Sequence, residues 1–391
     1  MLFNKVISKN MSSQIVHRNA RRRNCTLVVT HRCNLQCRYC YEEYKDSGRM
    51  SFMVAREIIQ HEFANALTSG TVDEILFDFL GGEPMLEFDL IRRVAEWAWS
   101  ETRQVPYLFS LTTNGTILDE EIKCWLRANA SRFKVVLSLD GGRLSHDINR
   151  SGSHINIDRS FFRDVFPDQP VKMTVTPETV SNFFNDVAEL TEEGFLVAPS
   201  FAYGVNWTDC SIQEYGRQLL LLSDWFLSHQ EKETIPQLQR ELSPILEDGK
   251  IRRTCGAGVM MCCYDIDGKS YPCHLFLPWI SHRDGLLDVL CSDDELCDER
   301  CIDCSYVRIC KHCYGMNYKL RGNPSIRSSE QCQLLQAEIN ACISYKGNRL
   351  GGFLRHGKHL NSDDLQEARA IIRLAGLIPE TIPKVERSAK S

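Results

Sequence analysis

The sequence has no long hydrophobic run and little excess of charge of either sign. None of its apolar stretches approaches the roughly 18 residues of a membrane-spanning helix. Residues 1–23 contain no apolar core of the kind found in secretory signals. The net charge is −5, which is too small to attract nucleic acid or an anionic membrane surface. We therefore expect a cytoplasmic protein that binds neither nucleic acid nor membranes.

Cysteine, in contrast, is abundant, with 18 among 391 residues. Disulfide frameworks with many cysteines belong to short secreted chains, and this chain is long and has no secretory signal. In such a chain, clustered cysteines more often bind metal, whereas isolated ones tend to be small buried residues. The length predicts two or three domains. Most of the sulfur is therefore expected to hold metal, and the isolated cysteines are Cys25, Cys124, Cys210, Cys291, Cys297 and Cys342.

The middle of the chain alternates between strand-like and helix-like patterns. Near-continuous apolar strands separated by amphipathic helices predict βαβ units around a parallel sheet. Repeated right-handed crossovers would wind this sheet into a curved, partly open barrel. Ligands of such sheets bind at the carboxyl ends of the strands. The predicted strands are 25–30, 74–80, 107–112, 134–139, 171–175 and 196–201, and the predicted helices are 52–67, 89–102, 120–128, 158–166, 183–193 and 212–230.

Three cysteines directly follow the first predicted strand, with the spacing C-x3-C-x2-C: Cys33, Cys37 and Cys40. Three thiolates leave one iron of a cubane [4Fe–4S] cluster without a protein ligand, and that iron can bind a small molecule. A zinc knuckle and three buried thiols are the alternatives. Zinc sites usually combine C-x2-C with a second pair or with histidines, and no such partner lies nearby. The triad therefore predicts an iron–sulfur cluster.

This spacing, with the aromatic Tyr39 before the third cysteine, resembles the signature of the radical S-adenosylmethionine (SAM) superfamily. The resemblance implies a partial (β/α)6 TIM-like barrel, whose cluster chelates the amino and carboxylate groups of SAM. It also implies an electron donor such as flavodoxin or ferredoxin. Reduction would then cleave SAM to a 5′-deoxyadenosyl radical.

Glycine-rich motifs follow the next strands, and each alone is typical of a turn. Their recurrence at successive strand ends resembles the SAM-binding motifs of the same family. That resemblance implies that the backbone at Gly81 and Gly82 approaches the SAM amino group, and that Glu83 accepts a hydrogen bond from it. The remaining SAM contacts implied by the resemblance are the ribose ligand Ser138, with Asp140 closing the same strand, the carboxylate clamp Arg150 and the turn residue Asn114. A solvated arginine and a turn asparagine remain the alternatives for the last two.

A second group of cysteines begins at Cys255, with twelve residues between it and Gly268 and four residues between Gly268 and Cys273. It continues with Cys301, Cys304, Cys310, Cys313 and Cys332. This pattern resembles the SPASM extension of radical SAM enzymes that mature peptides and proteins. The family spacing is C-x(9–15)-G-x4-C, then C-x2-C-x5-C-x3-C and a last cysteine. This chain departs from it because only two residues separate Cys310 from Cys313.

The SPASM resemblance implies two auxiliary [4Fe–4S] clusters. The first would be bound by Cys255, Cys273 and Cys313, with Cys262 or Cys263 as a fourth ligand. The second would be bound by Cys301, Cys304, Cys310 and Cys332. The alternative is a zinc ribbon formed by the two C-x2-C pairs between residues 301 and 313. That alternative leaves the other cysteines of the pattern unexplained.

The chain is thus expected to divide into four parts. Residues 1–24 form a solvated basic tail, 25–235 the radical SAM barrel, 250–345 the SPASM domain, and 346–391 a C-terminal helix and a disordered tail. The helix is predicted from the periodic residues 365–374, with Asn361 as its N-terminal cap. Residues 380–391 are expected to be disordered.

These resemblances imply an enzyme that installs an oxidative crosslink, of thioether or carbon–carbon cyclophane type, in a short precursor peptide. Two alternatives remain open: a formylglycine-generating sulfatase-maturating enzyme, and a non-catalytic iron–sulfur or zinc scaffold. Sulfatase-maturating enzymes carry an aspartate directly after the cysteine that matches Cys273. Here that position is His274, which is the candidate catalytic residue, and the exchange counts against formylglycine formation.

Overall fold

The computed structural model describes residues 21–376, except residues 44, 250, 252, 254, 284–289, 291–295 and 358. The predicted disordered residues 380–391, the first 20 residues and Cys291 lie outside the described residues. The strands are β1 Arg22–Thr30, β2 Glu74–Gly81, β3 Tyr107–Thr113, β4 Phe133–Leu137, β5 Val171–Val175, β6 Val197–Phe201, β7 Met261–Tyr264 and β8 Ser270–Tyr271. The helices are α1 Phe52–Ser69, α2 Phe88–Ser100, α3 Glu120–Asn129, α4 Arg143–Asn149, α5 Arg159–Val165, α6 Phe183–Glu193, α7 Asp209–Ser228, α8 Pro278–Ser281, α9 Tyr314–Arg321, α10 Ser329–Arg355 and α11 Ser362–Ala375.

The first six strands wind into a partial barrel. Strands β4, β3, β2 and β1 are parallel neighbours, and β5 and β6 form a second parallel pair. A parallel bridge between Ser138 and Lys172 joins the two sets at the β4–β5 edge. Helices follow each of these strands along the chain. The predicted fold class, a partial (β/α)6 barrel followed by a cysteine-rich region, is therefore confirmed.

The strands separate an aromatic outer layer from a polar inner face. Phe77, Phe79, Phe109 and Phe133 are fully buried on one face, and the rings of Phe79 and Phe109 stack with centroids 5.4 Å apart. Tryptophans of α2 and α3 pack on the same layer. Because side chains alternate along a strand, the intervening residues face the inside of the barrel. The carboxylate of Asp78 accepts a hydrogen bond there from the hydroxyl of Ser110 at 2.5 Å.

Strands β7 and β8 were not expected from the sequence. Strand β7 pairs in parallel with β1, with Cys25 opposite Cys262, so the barrel sheet continues into the cysteine-rich region. Strand β8 returns antiparallel to β7 through a turn in which Gly268 has a φ of 86°. Only glycine adopts this left-handed conformation without strain. The glycine of the second cysteine pattern is therefore the turn residue of this hairpin.

The predicted basic tail extends too far toward the barrel. Strand β1 begins at Arg22, and Arg23 forms an ion pair with the buried carboxylate of Glu62. Tyr264 of β7 donates to the same carboxylate at 2.7 Å. Arg21 pairs with Asp73 at 3.2 Å. The expectation of a solvated run is therefore wrong for Arg23, whereas the side chain of Arg21 is 54% exposed and agrees with it.

The predicted boundary at residue 345 falls inside α10, which runs for 27 residues without interruption. This helix packs along α7, where Glu338 accepts a hydrogen bond from Tyr215 at 2.9 Å and pairs with Arg240 at 2.6 Å. Asn361 caps α11 as expected, accepting from the backbone of Asp364 at 2.9 Å. Helix α11 then packs on α10. Among the described residues, no helix is both long and apolar enough to cross a membrane.

We expect Glu338→Gln to lower the free energy of unfolding by about 3–5 kcal/mol, because it leaves the guanidinium of Arg240 buried without its counterion. The side chains of both residues are less than a tenth exposed. Urea unfolding measures the change. The control is Glu214→Gln, which breaks the exposed pair with Arg217 and should cost only about 0–1 kcal/mol. Equal losses in the two variants would contradict the prediction.

Candidate active site and cysteine groups

The cysteine triad lies in the loop that leaves the carboxyl end of β1. Cys33, Cys37 and Cys40 line one cavity together with the strand-end motifs of β2, β3 and β4. The backbone N–H of Leu35 donates to the sulfur of Cys33 at 3.4 Å. Burial raises the pKa of each thiol, that of Cys40 to about 11. Buried thiols become favourable as thiolates when a cationic metal binds them, so this donor set fits the predicted cluster.

Gly81 and Gly82 are required by a close approach between two backbones. A side-chain carbon at Gly81 would lie 2.4 Å from the carbonyl oxygen of Thr30, and one at Gly82 would lie 2.4 Å from that of Arg32. The backbone N–H of Glu83 donates to the same Arg32 oxygen at 2.8 Å. Neither glycine has a positive φ. These glycines therefore fix the end of β2 against the start of the cysteine loop.

The carboxylate of Glu83 accepts three hydrogen bonds that hold this edge of the sheet together. Its Oε1 accepts from the hydroxyl of Thr113 at 2.7 Å and from the backbone of Met85 at 3.1 Å. Its Oε2 accepts from the backbone of Asn114 at 2.8 Å. An ionised carboxylate has about four acceptor positions, so one remains for a ligand. Glu83 is 1% exposed, and the cavity is the space that it faces.

Asp140 connects two other predicted site residues, Tyr39 and Arg150. Its carboxylate accepts from the hydroxyl of Tyr39 at 2.8 Å and lies 3.0 Å from Nε of Arg150. The guanidinium of Arg150 also stands over the Tyr39 ring, 5.4 Å from its centroid. Burial alone would lower the pKa of Arg150, but the charge of Asp140 raises it above the ordinary value. Arg150 is buried, so its alternative assignment as a solvated arginine is wrong.

Asn114 and Ser138 occupy different parts of the same cavity wall. The amide of Asn114 donates to Asn34 at 2.9 Å, and its oxygen accepts from Thr116 at 2.7 Å. Asn114 therefore ties the cysteine loop to the end of β3, as a turn residue does. Ser138 directly follows β4, and its backbone N–H donates to Thr113 at 2.8 Å. No hydrogen bond of its hydroxyl is found among the described residues, so this group can meet a ligand.

The cavity also contains residues that the sequence did not indicate. Tyr41, Glu42 and Lys45 line it next to the triad, and Thr112 lines it from β3. Glu42 is 5% exposed, and burial raises its pKa to about 7. The only sequence signal of Tyr41, Glu42 and Lys45 was proximity to Cys40, which does not indicate the direction in which a side chain points. Thr112 is the last residue of the third predicted strand, whose carboxyl end was expected at the ligand site.

The first auxiliary group brings together Cys255, Cys273 and Cys313, as expected from the resemblance. Burial raises the pKa of Cys273, and the charges of the other two thiols raise it further. Cys263 lies close enough to act on Cys273 in the same way. Cys262 points to the opposite face of β7, where its sulfur is 3.7 Å from the Glu62 carboxylate. Of the two candidates for a fourth ligand, only Cys263 fits.

The second auxiliary group contains Cys301, Cys304, Cys310 and Cys332, whose charges act on one another. Arg327 lies among them, 3% exposed, and its Nη1 donates to the sulfur of Cys310 at 3.5 Å. A buried cation among four thiols suits a cluster with net negative charge. Cys313 caps α9 and belongs to the other group. In a zinc ribbon, Cys313 would share one site with Cys301, Cys304 and Cys310. Here it lies with Cys255 and Cys273 instead.

His274 lies between the barrel cavity and the first auxiliary group. Its ring centroid is 5.3 Å from that of Tyr41. Burial, together with the smaller effect of the Lys172 charge on β5, lowers the pKa of His274 to about 4. The imidazole is therefore neutral at pH 7. Burial raises the pKa of Tyr41, and the charges of Cys40, Cys273 and Cys263 raise it further.

Comparison with known proteins identifies the class. Residues 27–153 match the family model described as the Radical SAM superfamily, so the chain contains a radical SAM domain. It is 21% identical to the radical SAM cyclopropyl synthase TigE of Paramaledivibacter caminithermalis, over 82% of this chain and 74% of TigE. It is 32% identical to a cysteine-type anaerobic sulfatase-maturating enzyme of Clostridium novyi, over 31% of this chain and 34% of that enzyme.

Solved structures share the fold over most of the chain. A structure of anSMEcpe with bound AdoMet and the Cp18Cys peptide covers 86% of this chain and all of its own, with a TM-score of 0.63 and 18% identity. Streptococcus suis SuiB bound to the precursor peptide SuiA covers 83% of this chain and 79% of its own, with a TM-score of 0.52 and 15% identity. Several curated relatives are matched over only 34–37% of their length.

Proposed function

We propose that this protein is a radical SAM peptide maturase with a SPASM-type cluster region, and that it installs an oxidative crosslink in a ribosomally made precursor peptide. The observation that carries the proposal is the position of Tyr41, which lines the cavity of the triad and also packs against the buried cluster that contains Cys263 and Cys273. One cavity thus adjoins two separate groups of cysteines. The likeness to folds solved with peptides supports a peptide as the substrate.

In this proposal the cysteines hold three [4Fe–4S] clusters with the ligands assigned above, and Cys263 completes the first auxiliary site. SAM bound at the triad cluster supplies a 5′-deoxyadenosyl radical that removes a hydrogen atom from a substrate carbon. Glu83 accepts from the SAM amino group with its remaining lone pair, and Ser138 contacts the ribose. Arg150, oriented by Asp140, meets the carboxylate with its terminal nitrogens, a geometry that suits a forked guanidinium.

The residue at position 274 favours crosslinking over formylglycine formation. Formylglycine chemistry needs a group that takes a proton from the substrate hydroxyl or thiol as the carbonyl forms. The sulfatase-maturating relatives carry an aspartate directly after the matching cysteine, and His274 replaces that carboxylate here. Ring closure between side chains instead depends on holding two groups close together. The likeness to the sulfatase-maturating enzyme keeps formylglycine formation as the second candidate. Flavodoxin or ferredoxin in the cytoplasm would supply the electron.

Co-expression with a short precursor gene, where one lies beside this gene, should yield a peptide lighter by two hydrogens. The reason is that a crosslink joins two side chains with net loss of one hydrogen from each. Tandem mass spectrometry should show fragmentation suppressed between the joined residues. A variant with Cys33→Ala provides the unmodified control. A product that instead reacts with a hydrazine probe at a former cysteine or serine would establish formylglycine and contradict the crosslink.

A further inference from the structure

Glu42 is a buried carboxylate that the proposed mechanism leaves without a role. Its side chain lines the cavity beside the cysteine triad and is 5% exposed. No hydrogen bond or ion pair of this carboxylate occurs within the part of the chain that the structure describes. Burying an ionised carboxylate without a donor is costly, and native proteins almost always provide one. A group that enters the cavity could supply it.

The two cationic side chains whose charges act on Glu42 form their hydrogen bonds with other groups. The ammonium of Lys45 donates to the backbone oxygen of Leu35 at 2.7 Å. The imidazole of His31 lies between two aspartates, with Nδ1 2.9 Å from Asp46 and Nε2 2.8 Å from Asp265. Both act on Glu42 only through their charges, and Glu83 is the negative group that faces it. These positive charges therefore offset only part of the cost of burying Glu42, and its oxygens remain available to a donor.

Glu42 lines the same cavity as the proposed SAM contacts but comes from a different segment of the chain. Those contacts come from the ends of β2 and β4 and from the end of α4, whereas Glu42 belongs to the segment that leads away from the triad. Lys319 of α9 binds this segment, donating to the Tyr41 carbonyl at 2.7 Å and to Glu43 at 2.9 Å. Glu42 thus lies where the barrel cavity meets the cysteine-rich region.

We propose that Glu42 binds the target residue of the peptide, and that this residue carries an N–H, O–H or S–H donor rather than a purely hydrocarbon side chain. The inference rests on the proposed function and specifies its substrate class. Glu42 acts as a specificity-determining residue, because a hydrogen bond to a buried charge rewards a donor and penalises a side chain that lacks one.

The test is a selection from a random library of short mRNA-displayed peptides, on anaerobically reconstituted enzyme with SAM. Wild-type enzyme should enrich peptides with a donor residue at one fixed position, and Glu42→Ala should lose that enrichment. Glu43→Gln is the matched control, because Glu43 is the neighbouring residue and pairs at the surface with Lys319. A synthetic peptide from the wild-type pool should then show a KM about 10- to 100-fold higher with Glu42→Ala.

Two further measurements separate substrate binding from effects on the cofactor. Iron content and peptide-independent SAM cleavage should stay at wild-type levels in Glu42→Ala. Glu42→Gln keeps the size and one acceptor oxygen, so its KM should lie between those of the wild type and Glu42→Ala. An unchanged KM in both variants, or a loss of SAM affinity in place of peptide affinity, would overturn the inference. If the wild-type enzyme enriches no peptide, the proposed peptide function fails, and the assignment of Glu42 fails with it.

Discussion

Alanine at Cys33, Cys37 and Cys40 together should remove about four irons per chain and abolish the cleavage of SAM. These three thiols are the only cysteine side chains that line the described part of the cavity. The auxiliary groups are built from other segments, which connect to the barrel through β7 and α10 rather than through the triad loop. The iron bound by the auxiliary groups should therefore persist. Iron analysis and the thiolate-to-iron charge-transfer absorbance measure it.

Loss of activity alone would not distinguish a missing cluster from a misfolded barrel. The matched control replaces Cys124 and Cys210, which are exposed and isolated, and should keep full iron content and full SAM cleavage. Far-UV circular dichroism should be the same for both variants. Undiminished production of 5′-deoxyadenosine by the triple variant would show that SAM is bound and reduced elsewhere.

Under the proposed assignment, reconstituted wild-type protein should hold about twelve irons and no stoichiometric zinc, because each of the three groups of cysteines would bind one cubane. Replacing Cys301, Cys304, Cys310 and Cys332 with alanine should remove about four of them. It should also destabilise the fold, because Arg327 would remain buried without the negative cluster that it faces. Metal analysis by mass spectrometry and thermal unfolding measure the two effects.

Cys313→Ala distinguishes this arrangement from a zinc ribbon. In the structure Cys313 groups with Cys255 and Cys273, so its loss should affect the first auxiliary cluster and spare the second. In a ribbon of residues 301–313 the same substitution would release one zinc. Protein that contains one zinc and only about four irons would show that the ribbon interpretation is correct.

The sequence by itself determined the local features of this protein. The spacing of the triad, the glycines after β2 and the cap at Asn361 act over a few residues, where the conformation of one loop or turn decides the outcome. The alternation of strands and helices was also readable, because each strand buries one face under aromatic residues. These features are encoded by neighbouring residues, so they predicted the barrel class and the cavity edge.

Only the tertiary structure decided how distant segments combine. The choice of Cys263 over Cys262 depends on which face of β7 turns toward Cys273, and that face follows from the pairing of β7 with β1. The burial of Arg23 depends on Glu62, a partner 39 residues away in the sequence. Glu42 could not be identified at all, because an unpaired carboxylate is defined by the absence of partners across the whole fold. Such relations depend on the packing of the entire chain, which no local motif encodes.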